Sequence, residues 1–183
     1  MVTPTDRDVI ARVLSGDVDA FGIIVDRYSG RFTRFATRML GSREDGEEAL
    51  QDSFLRAYRA LGKYRDHERF ASWFYRILVN RCRSRLAQRR RRDAVEERLG
   101  DHDAPSSGDG GGPGGPLAGD HADAILGALP VEQREVFLLR YVEDLSYDDI
   151  SVITGVGVSA LKMRVKRGLE QLRLSLREGP DDE

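Results

Sequence analysis

One segment limits the folds that are open to this chain. Residues 100–120, GDHDAPSSGDGGGPGGPLAGD, contain eight glycines and three prolines and have almost no apolar side chains. A segment of this composition cannot bury enough surface to offset the entropy lost when it is ordered. It is typical of a flexible tether, although an irregular surface loop can have a similar composition. We therefore predict two separate folding units, one on each side of it.

Net charge also differs between the regions before, around and after the glycine-rich segment. Residues 1–92 contain 20 Lys and Arg against 12 Asp and Glu, a net charge of +8, whereas residues 93–122 carry −6 and residues 123–183 carry −4. The overall charge of −2 therefore hides a strongly basic region. Phosphate binding depends on clustered cations, so this partition indicates that different parts of the chain meet different partners.

Composition disfavours several classes of protein. The first residues lack the cationic and apolar regions of a secretion signal, and no apolar run reaches membrane-spanning length, which predicts a cytoplasmic protein without direct membrane insertion. A single cysteine, Cys82, excludes an internal disulfide, and the three histidines have no zinc-site spacing. No phosphate loop or nucleophile motif is visible. We expect no metal, no cofactor and no enzymatic activity.

Apolar residues follow helical spacing on both sides of the glycine-rich segment, which predicts an all-α fold of two small helical domains joined by a flexible linker. Capping boxes at Thr5, Ser42 and Ser146 mark helix starts, and Gly16, Gly41 and the glycine at 155 mark ends. The predicted helices cover residues 5–15, 18–40, 42–62, 70–91, 122–129, 131–141, 147–154 and 158–176. The predicted domains are residues 1–92, a flexible acidic linker over 93–121, residues 122–178 and a disordered acidic tail over 179–183.

The C-terminal unit contains a helix-turn-helix pattern. In SYDDISVITGVGVSALKMRVKRGLEQLR, a short capped helix, a glycine turn and a longer cationic helix follow in order. The predicted shared core is Ile150, Ile153, Val156, Leu161 and Val165. The side chains predicted to face a DNA major groove are Ser159, Lys162, Met163, Lys166 and Arg167. An ordinary helical hairpin with a solvated cationic face is the alternative.

The fourth helix, FASWFYRILVNRCRSRLAQRRRR, combines aromatic residues with seven arginines between Arg81 and Arg92. Phe70, Phe74, Ile77 and Leu78 can bury one side, which leaves Arg76, Asn80 and Arg83 together on another. Flat side chains and cations suit a splayed single strand, whose bases stack and whose backbone is anionic. Trp73 fits either the core or the path of that strand.

The third helix, GEEALQDSFLRAYRAL, is predicted to bury Leu50, Phe54, Tyr58 and Leu61 along one stripe. The opposite face carries Glu48, Gln51, Asp52, Leu55 and Arg59. An apolar Leu55 among polar neighbours is either a scattered surface leucine or an anchor for a partner helix.

Together these motifs resemble the sigma factors of bacterial RNA polymerase, specifically the compact extracytoplasmic-function (ECF) group of the sigma-70 family. DVDAFGIIVDRYSGRFTRFATRMLG, GEEALQDSFLRAYRAL and FASWFYRILVNRCRSRL resemble parts of sigma region 2. ALPVEQREVFLLRYVEDLSYDDISVITGVGVSALKMRVKRGLEQLR resembles region 4. The resemblance covers nearly everything except the linker, and it implies transcription initiation at promoters with −10 and −35 elements.

The resemblance also implies partners and site residues. Docking to the clamp of the largest subunit of core polymerase would use Glu48, Gln51, Asp52 and Leu55. The melted −10 strand would be held by Arg65, His67, Phe70, Trp73, Arg76, Asn80 and Arg83. Duplex −35 DNA would meet the cationic helix through Lys162 and its neighbours, with Arg164 turned inward or toward the backbone. An anti-sigma factor is a further expected partner.

Four positions depart from the family pattern. Ser84 stands where an acidic residue is frequent, Ser151 replaces an alanine, and Gly168-Leu169 replaces an alanine-arginine pair. A glycine inside a helix costs about 1 kcal/mol relative to alanine. The alternative function is a helix-turn-helix regulator that binds duplex DNA without polymerase.

Overall fold

A computed structural model describes residues 3–65, 69–99, 124 and 126–177 of the chain. The chain forms two compact units, Met1–Leu99 and Gly100–Glu183. All the regular elements in the described ranges are helical, which confirms the predicted all-α fold class. Each unit is described by itself below.

The described residues of the N-terminal unit form four α-helices. Helix α1 is Asp6–Leu14, and a 3-10 turn at Val18–Ala20 leads into α2, Phe21–Leu40. Helix α3 is Arg43–Ala60, followed by a 3-10 turn at Leu61–Lys63, and α4 is Phe70–Leu99.

The capping residues and the glycine that were predicted to mark the ends of these helices are found at those ends. Thr5 and Asp8 form a reciprocal capping box at the start of α1. The Ser42 hydroxyl accepts from the backbone N–H of Asp45 at the start of α3. Gly41 ends α2 with a left-handed φ of 73°, a conformation that glycine adopts without steric cost.

Helix α4 is longer than predicted. Its C-terminus lies at Leu99, so residues 93–99, assigned to the linker from their acidic charge, are helical. The segment DAVEERL contains no glycine or proline, and Gly100 is the first residue that breaks the pattern. The rest of the predicted linker up to residue 121 and the predicted acidic tail lie outside the described residues.

Aromatic rings fill the centre of the N-terminal unit. Phe32 of α2 stacks on Phe74 of α4 with ring centroids 4.4 Å apart, and Tyr75 meets Phe32 edge-on at 4.9 Å. Phe54 of α3 packs on Phe74 at 4.7 Å. Such offset and edge contacts add to the free energy gained from burying the rings. Helices α2, α3 and α4 therefore share one rigid core.

Helix α1 is attached to this core by both apolar and polar contacts. Its residues Val9, Ile10 and Val13 are buried. Asp6 forms an ion pair with Arg27 of α2 and accepts a hydrogen bond of 2.5 Å from the Tyr28 hydroxyl. Burial and the neighbouring carboxylate raise the pKa of Tyr28, so this hydroxyl stays a donor at neutral pH.

Helices α2 and α3 approach closely at one glycine. A Cβ atom on Gly46 would lie 2.8 Å from the backbone nitrogen and 2.9 Å from the Cα of Thr37. The Thr37 hydroxyl oxygen would lie 2.7 Å away as well. These distances are too short for any side chain, and two of the three atoms in the way belong to the backbone. Gly46 therefore sets the distance between the two helices.

The C-terminal unit has a helix-turn-helix at its centre. Helix α5 is Val131–Phe137 and continues as a π-helical turn, Leu138–Val142. Helix α6 is Tyr147–Thr154 and α7 is Val158–Arg177. Residues 124 and 126–128 are also helical, and Arg134 donates to the backbone carbonyls of Leu126 and Leu129 at 3.0 and 3.2 Å.

The predicted core of this unit is present. Ile150, Ile153, Leu161 and Val165 are buried, and Val156 is half-buried. Ser146 caps α6 by accepting from Asp149, and Gly155 ends it with φ 73°. Gly168 of α7 is buried against α5, where a Cβ atom would lie 3.5–3.9 Å from side-chain atoms of Gln133 and Leu129.

Candidate nucleic-acid interface

One face of α7 carries the residues predicted to meet duplex DNA. Leu161 and Val165 turn into the core beneath α6, and this fixes the rotation of the helix. The residues on its outer face are all exposed: Ser159, Lys162, Met163, Lys166 and Arg167. Arg164 is half-buried, so it is less exposed than these five residues. A helix with one face anchored and a cationic face outward can enter a major groove.

Three side chains from different elements meet beside α7. The Tyr147 ring, at the first position of α6, has the Arg140 guanidinium 5.5 Å and the Lys162 ammonium 5.7 Å from its centroid. Arg140 comes from the π-helical turn, and its Nη1 donates to the backbone carbonyl of Leu145 at 3.1 Å. We call Arg140, Tyr147 and Lys162 the ring cluster. Of these three residues, only Lys162 is predicted from the sequence to meet DNA.

In the N-terminal unit, aromatic rings pack at the start of α4. Phe70 is only 1% exposed and touches Tyr28, Tyr64 and Trp73. Its predicted contact with a melted strand is therefore not available in this structure, because the ring is part of the core. Trp73 is half-buried, with its ring 4.9 Å from that of Tyr64. Trp73 therefore fits both of the roles that its sequence position left open.

The polar residues predicted to hold the −10 strand lie along α4. Arg76 and Asn80 are exposed and one turn apart, and Arg83 is half-buried. Arg65 is exposed before the helix starts, and His67 lies outside the described residues. Because residues four apart share a helix face, Arg76 and Asn80 form a continuous polar strip that starts beside Trp73.

The seven arginines between Arg81 and Arg92 fall into different groups. Arg81 pairs with Asp52, and Arg85 pairs with Asp45 at 2.8 Å and with Glu48. Burial lowers the pKa of Arg85, but its pairing with Glu48 and Asp45 outweighs this, and the pKa is raised overall. Arg89 to Arg92 are exposed. Part of the cationic run therefore fastens α4 to α3, and its last four residues face solvent.

These ion pairs divide the four residues that were predicted to dock on core polymerase into two groups. Glu48 and Asp52 point toward α4 in the ion pairs just described, whereas Gln51 and Leu55 lie on a different side of α3. Acids three and four residues apart on α3 and arginines four apart on α4 were a visible signal for the pairing. A single sequence does not show that the two faces meet.

A mainly apolar groove of about 630 Å³ lies between α2 and α3. Gln51, Leu55 and Tyr58 line it from α3, and Phe21 and Val25 line it from α2. Leu55 is 51% exposed there, so it belongs to an apolar surface and is not a scattered leucine. Tyr58, predicted to be buried, is exposed at the groove and packs on Phe21 at 5.3 Å. Glu47, which the sequence analysis did not select, also lines the groove.

Within the described ranges, no helix is both long and apolar enough to cross a membrane. Within the same ranges, no group of three or more His, Cys, Asp or Glu side chains is arranged to hold a metal ion.

Comparison with protein families matches both units. The model for sigma-70 region 2 matches residues 24–92, and the model for sigma-70 region 4 matches residues 122–172. Among curated proteins, the chain is 31% identical to the ECF RNA polymerase sigma-E factor of Haemophilus influenzae over 92% of this chain and 93% of the relative. It is 30% identical to the RNA polymerase sigma-H factor of Pseudomonas aeruginosa, with 93% of each chain covered.

Two solved structures are similar in fold to this chain. CnrH, solved in complex with the cytosolic domain of CnrY, has a TM-score of 0.68 and 26% identity over 96% of this chain and 99% of that one. The sigma factor RpoE of Bartonella quintana, solved with the anti-sigma factor NepR, has a TM-score of 0.70 and 20% identity over 88% and 99%. At 20% identity the second likeness concerns the fold alone.

Proposed function

Because the chain belongs to the ECF group of the sigma-70 family, we propose which of its surfaces binds RNA polymerase core and which bind promoter DNA. The protein binds RNA polymerase core and directs transcription initiation at specific promoters. Its two units match the two family regions in order, which disfavours a regulator that works without polymerase.

The groove between α2 and α3 is proposed as the docking site for core polymerase. It combines exposed Leu55 and Tyr58 with Gln51 on its rim, and an apolar centre with a polar edge is the usual anatomy of a protein interface. Glu48 and Asp52 contribute indirectly, because they hold α3 against α4. The partner surface would be the clamp of the largest subunit, as the family resemblance implies.

The strip along α4 is proposed as the −10 site. Arg76 and Asn80 would contact the melted strand, with Arg65 and Arg83 near its phosphates and an edge of Trp73 available for stacking. The rings of Tyr64 and Phe70 support Trp73 from behind. A rigid support of this kind lowers the entropy lost when a base is captured.

The exposed face of α7 is proposed as the −35 site. Ser159, Lys162 and Met163 lie toward the start of the helix, where base edges are usually read, and Lys166 and Arg167 lie one turn further on, nearer to phosphates. Burial of Leu161 and Val165 carries this assignment, because it fixes which face of α7 turns outward.

We propose in addition that an anti-sigma factor binds this protein, that it works in the cytoplasm and that it has no catalytic activity of its own. An anti-sigma factor is the partner that the family resemblance implies, and CnrH, a similar structure at 26% identity, was solved as a complex with the cytosolic domain of CnrY. A factor that selects promoters needs polymerase for the chemistry of RNA synthesis and needs access to the chromosome.

Run-off transcription with purified core polymerase tests the docking site. Leu55→Asp should lower promoter-specific transcripts at least tenfold, because a charge would be placed in an apolar contact. Leu14→Asp is the matched control, since Leu14 is also 51% exposed but lies outside the groove. It should keep activity within twofold.

Two results would contradict the proposal. If the wild-type chain yielded no promoter-specific transcript with any competent core enzyme, the assignment of function would be wrong. If Leu55→Asp and Leu14→Asp behaved alike, the function would stand and the groove would not be the docking site.

A further inference from the structure

The ring cluster holds two cations on one aromatic side chain. The Arg140 guanidinium and the Lys162 ammonium both lie within 6 Å of the Tyr147 ring centroid. At such distances the electron-rich face of an aromatic ring attracts a cation. Like charges repel, so two cations on one ring require that the ring, or other groups, stabilise each of them.

The two cations are not held equally. Arg140 has further partners, because it donates to the Leu145 carbonyl at 3.1 Å and lies 3.6 Å from the Asp144 carboxylate. Lys162 is exposed, and within the described residues its recorded side-chain contact is the Tyr147 ring. Arg140 is therefore fixed to the turn before α6, whereas the ammonium of Lys162 keeps its three donors available.

We infer that Tyr147 is a positioning residue for Lys162 in reading the −35 element. The ring attracts the ammonium, and Arg140 repels it from one side, so the flexible four-carbon chain of Lys162 is confined before DNA arrives. A confined side chain loses less rotamer freedom when it contacts a base edge. The inference rests on the proposed role of α7 and adds a residue of α6 that has no DNA contact assigned to it.

The position of Tyr147 makes this coupling geometrically stable. It is the first residue of α6, directly after the Ser146 cap, whose hydroxyl accepts from Asp149 at 3.1 Å. The cap fixes the helix start, and the buried Ile150 and Ile153 fix its rotation against α7. The distance between the ring and Lys162 is therefore set by the packed core of the helix-turn-helix.

The test is holoenzyme transcription from a promoter library randomised over both elements, read by sequencing the transcripts. Lys162→Ala identifies the base position whose preference depends on Lys162. Tyr147→Leu should lower the preference at that same position by about two- to fivefold, the range expected for one exposed cation–π contact. Tyr147→Phe keeps the aromatic ring and should therefore retain most of the wild-type preference at that position.

Tyr141→Leu is the matched control. Tyr141 is an exposed tyrosine whose ring lies 6.0 Å from the Arg140 guanidinium, and it has no recorded contact with Lys162. It should leave the preference at that position unchanged. Circular dichroism melts of the four variants and the wild type show whether each chain is folded.

A double mutant separates positioning from a general structural role. In the Lys162→Ala background, Tyr147→Leu should have no further effect on preference, because the side chain through which it acts is absent. Additive effects would overturn the inference, and so would a uniform loss of transcripts without a change in preference. An equal loss in Tyr147→Phe and Tyr147→Leu would indicate that the hydroxyl matters instead.

Failure of this inference is distinguishable from failure of the proposed function. If the wild-type holoenzyme shows no preference anywhere upstream, the role of α7 itself is wrong. If the wild type and Lys162→Ala differ but Tyr147→Leu behaves as the wild type, α7 reads DNA and only the role of Tyr147 is refuted.

Discussion

The N-terminal and C-terminal units each present a long basic helix, α4 and α7, but the cations on the two helices have different partners. On α4, Arg81 and Arg85 form ion pairs with acids of α3. On the outer face of α7, Lys162, Lys166 and Arg167 are exposed, and no ion pair is recorded for them within the described residues. The same residue types therefore hold a bundle together in one unit and remain available to an anionic ligand in the other.

This difference shows that the number of cations on a helix overstates its nucleic-acid binding surface. The helix of the N-terminal unit has the longer arginine run, but two of those arginines are used within the fold. What decides the role of each cation is whether an acid on a neighbouring helix lies within reach. The following substitutions test how far the two units differ in their internal packing.

The largest effect is expected at Gly46. Gly46→Ala should lower the free energy of unfolding of the N-terminal unit by about 2–3 kcal/mol, because the new Cβ would overlap the backbone of Thr37. This outweighs the preference of about 1 kcal/mol for alanine in a helix. Trp73 is the single tryptophan, so its fluorescence during urea unfolding reports the N-terminal unit alone.

Gly30→Ala is the control for that experiment. Gly30 lies in the interior of α2, and the nearest atom to its Cβ would be a flexible arginine nitrogen 3.8 Å away. This variant should be neutral or slightly more stable. An unchanged midpoint for Gly46→Ala would mean that α2 and α3 separate at little cost.

An intermediate effect is expected at Arg85. Arg85→Met should destabilise the N-terminal unit by about 1.5 kcal/mol, because the Arg85 side chain is only 15% exposed and pairs with two carboxylates that are themselves partly solvated. Arg89→Met, one turn further along the exposed part of α4, should change stability by less than about 0.5 kcal/mol. If Arg85→Met and Arg89→Met lowered the stability equally, as measured by Trp73 fluorescence during unfolding, the ion pairs with α3 would not stabilise the unit.

The smallest effect, with the opposite sign, is expected at Gly168 in the C-terminal unit. Gly168→Ala should stabilise that unit by about 0.5–1 kcal/mol, since the added methyl makes ordinary contacts with Gln133 and Leu129 and alanine favours the helix. The gain should appear in the thermal transition followed by circular dichroism and not in Trp73 fluorescence. Destabilisation would mean that the α5–α7 contact tolerates no side chain.

The sequence predicted well those features that are decided within a few residues. The caps at Thr5, Ser42 and Ser146 and the glycine ends at Gly41 and Gly155 form as expected, because a cap depends on a hydroxyl and a backbone N–H three positions away. The buried and exposed faces of α7 follow in the same way from helical spacing.

The features that were missed depend on which helices meet in three dimensions. Exposure of Tyr58 at the groove and the pairing of Asp52 with Arg81 both depend on the rotation of one helix against another. Phe70 was predicted both to be buried and to touch the melted strand, and only its packing against Tyr28, Tyr64 and Trp73 shows that the ring belongs to the core. The contact of Tyr147 with Lys162 depends likewise on how α6 crosses α7. The end of α4 was placed too early because acidic charge, which does not stop a helix, was taken as part of the linker.

The length of α4 has a mechanical consequence. Within the described residues, its last ion pairs with α3 are those of Arg85, yet the helix runs on to Leu99, which at 1.5 Å per residue is about 21 Å of rod beyond that point. A rod of that length is a lever arm: a tilt of about 10° at its base displaces its tip by about 4 Å. Small rotations of the N-terminal bundle on a partner would thus be amplified into larger shifts at the point where the glycine-rich segment begins.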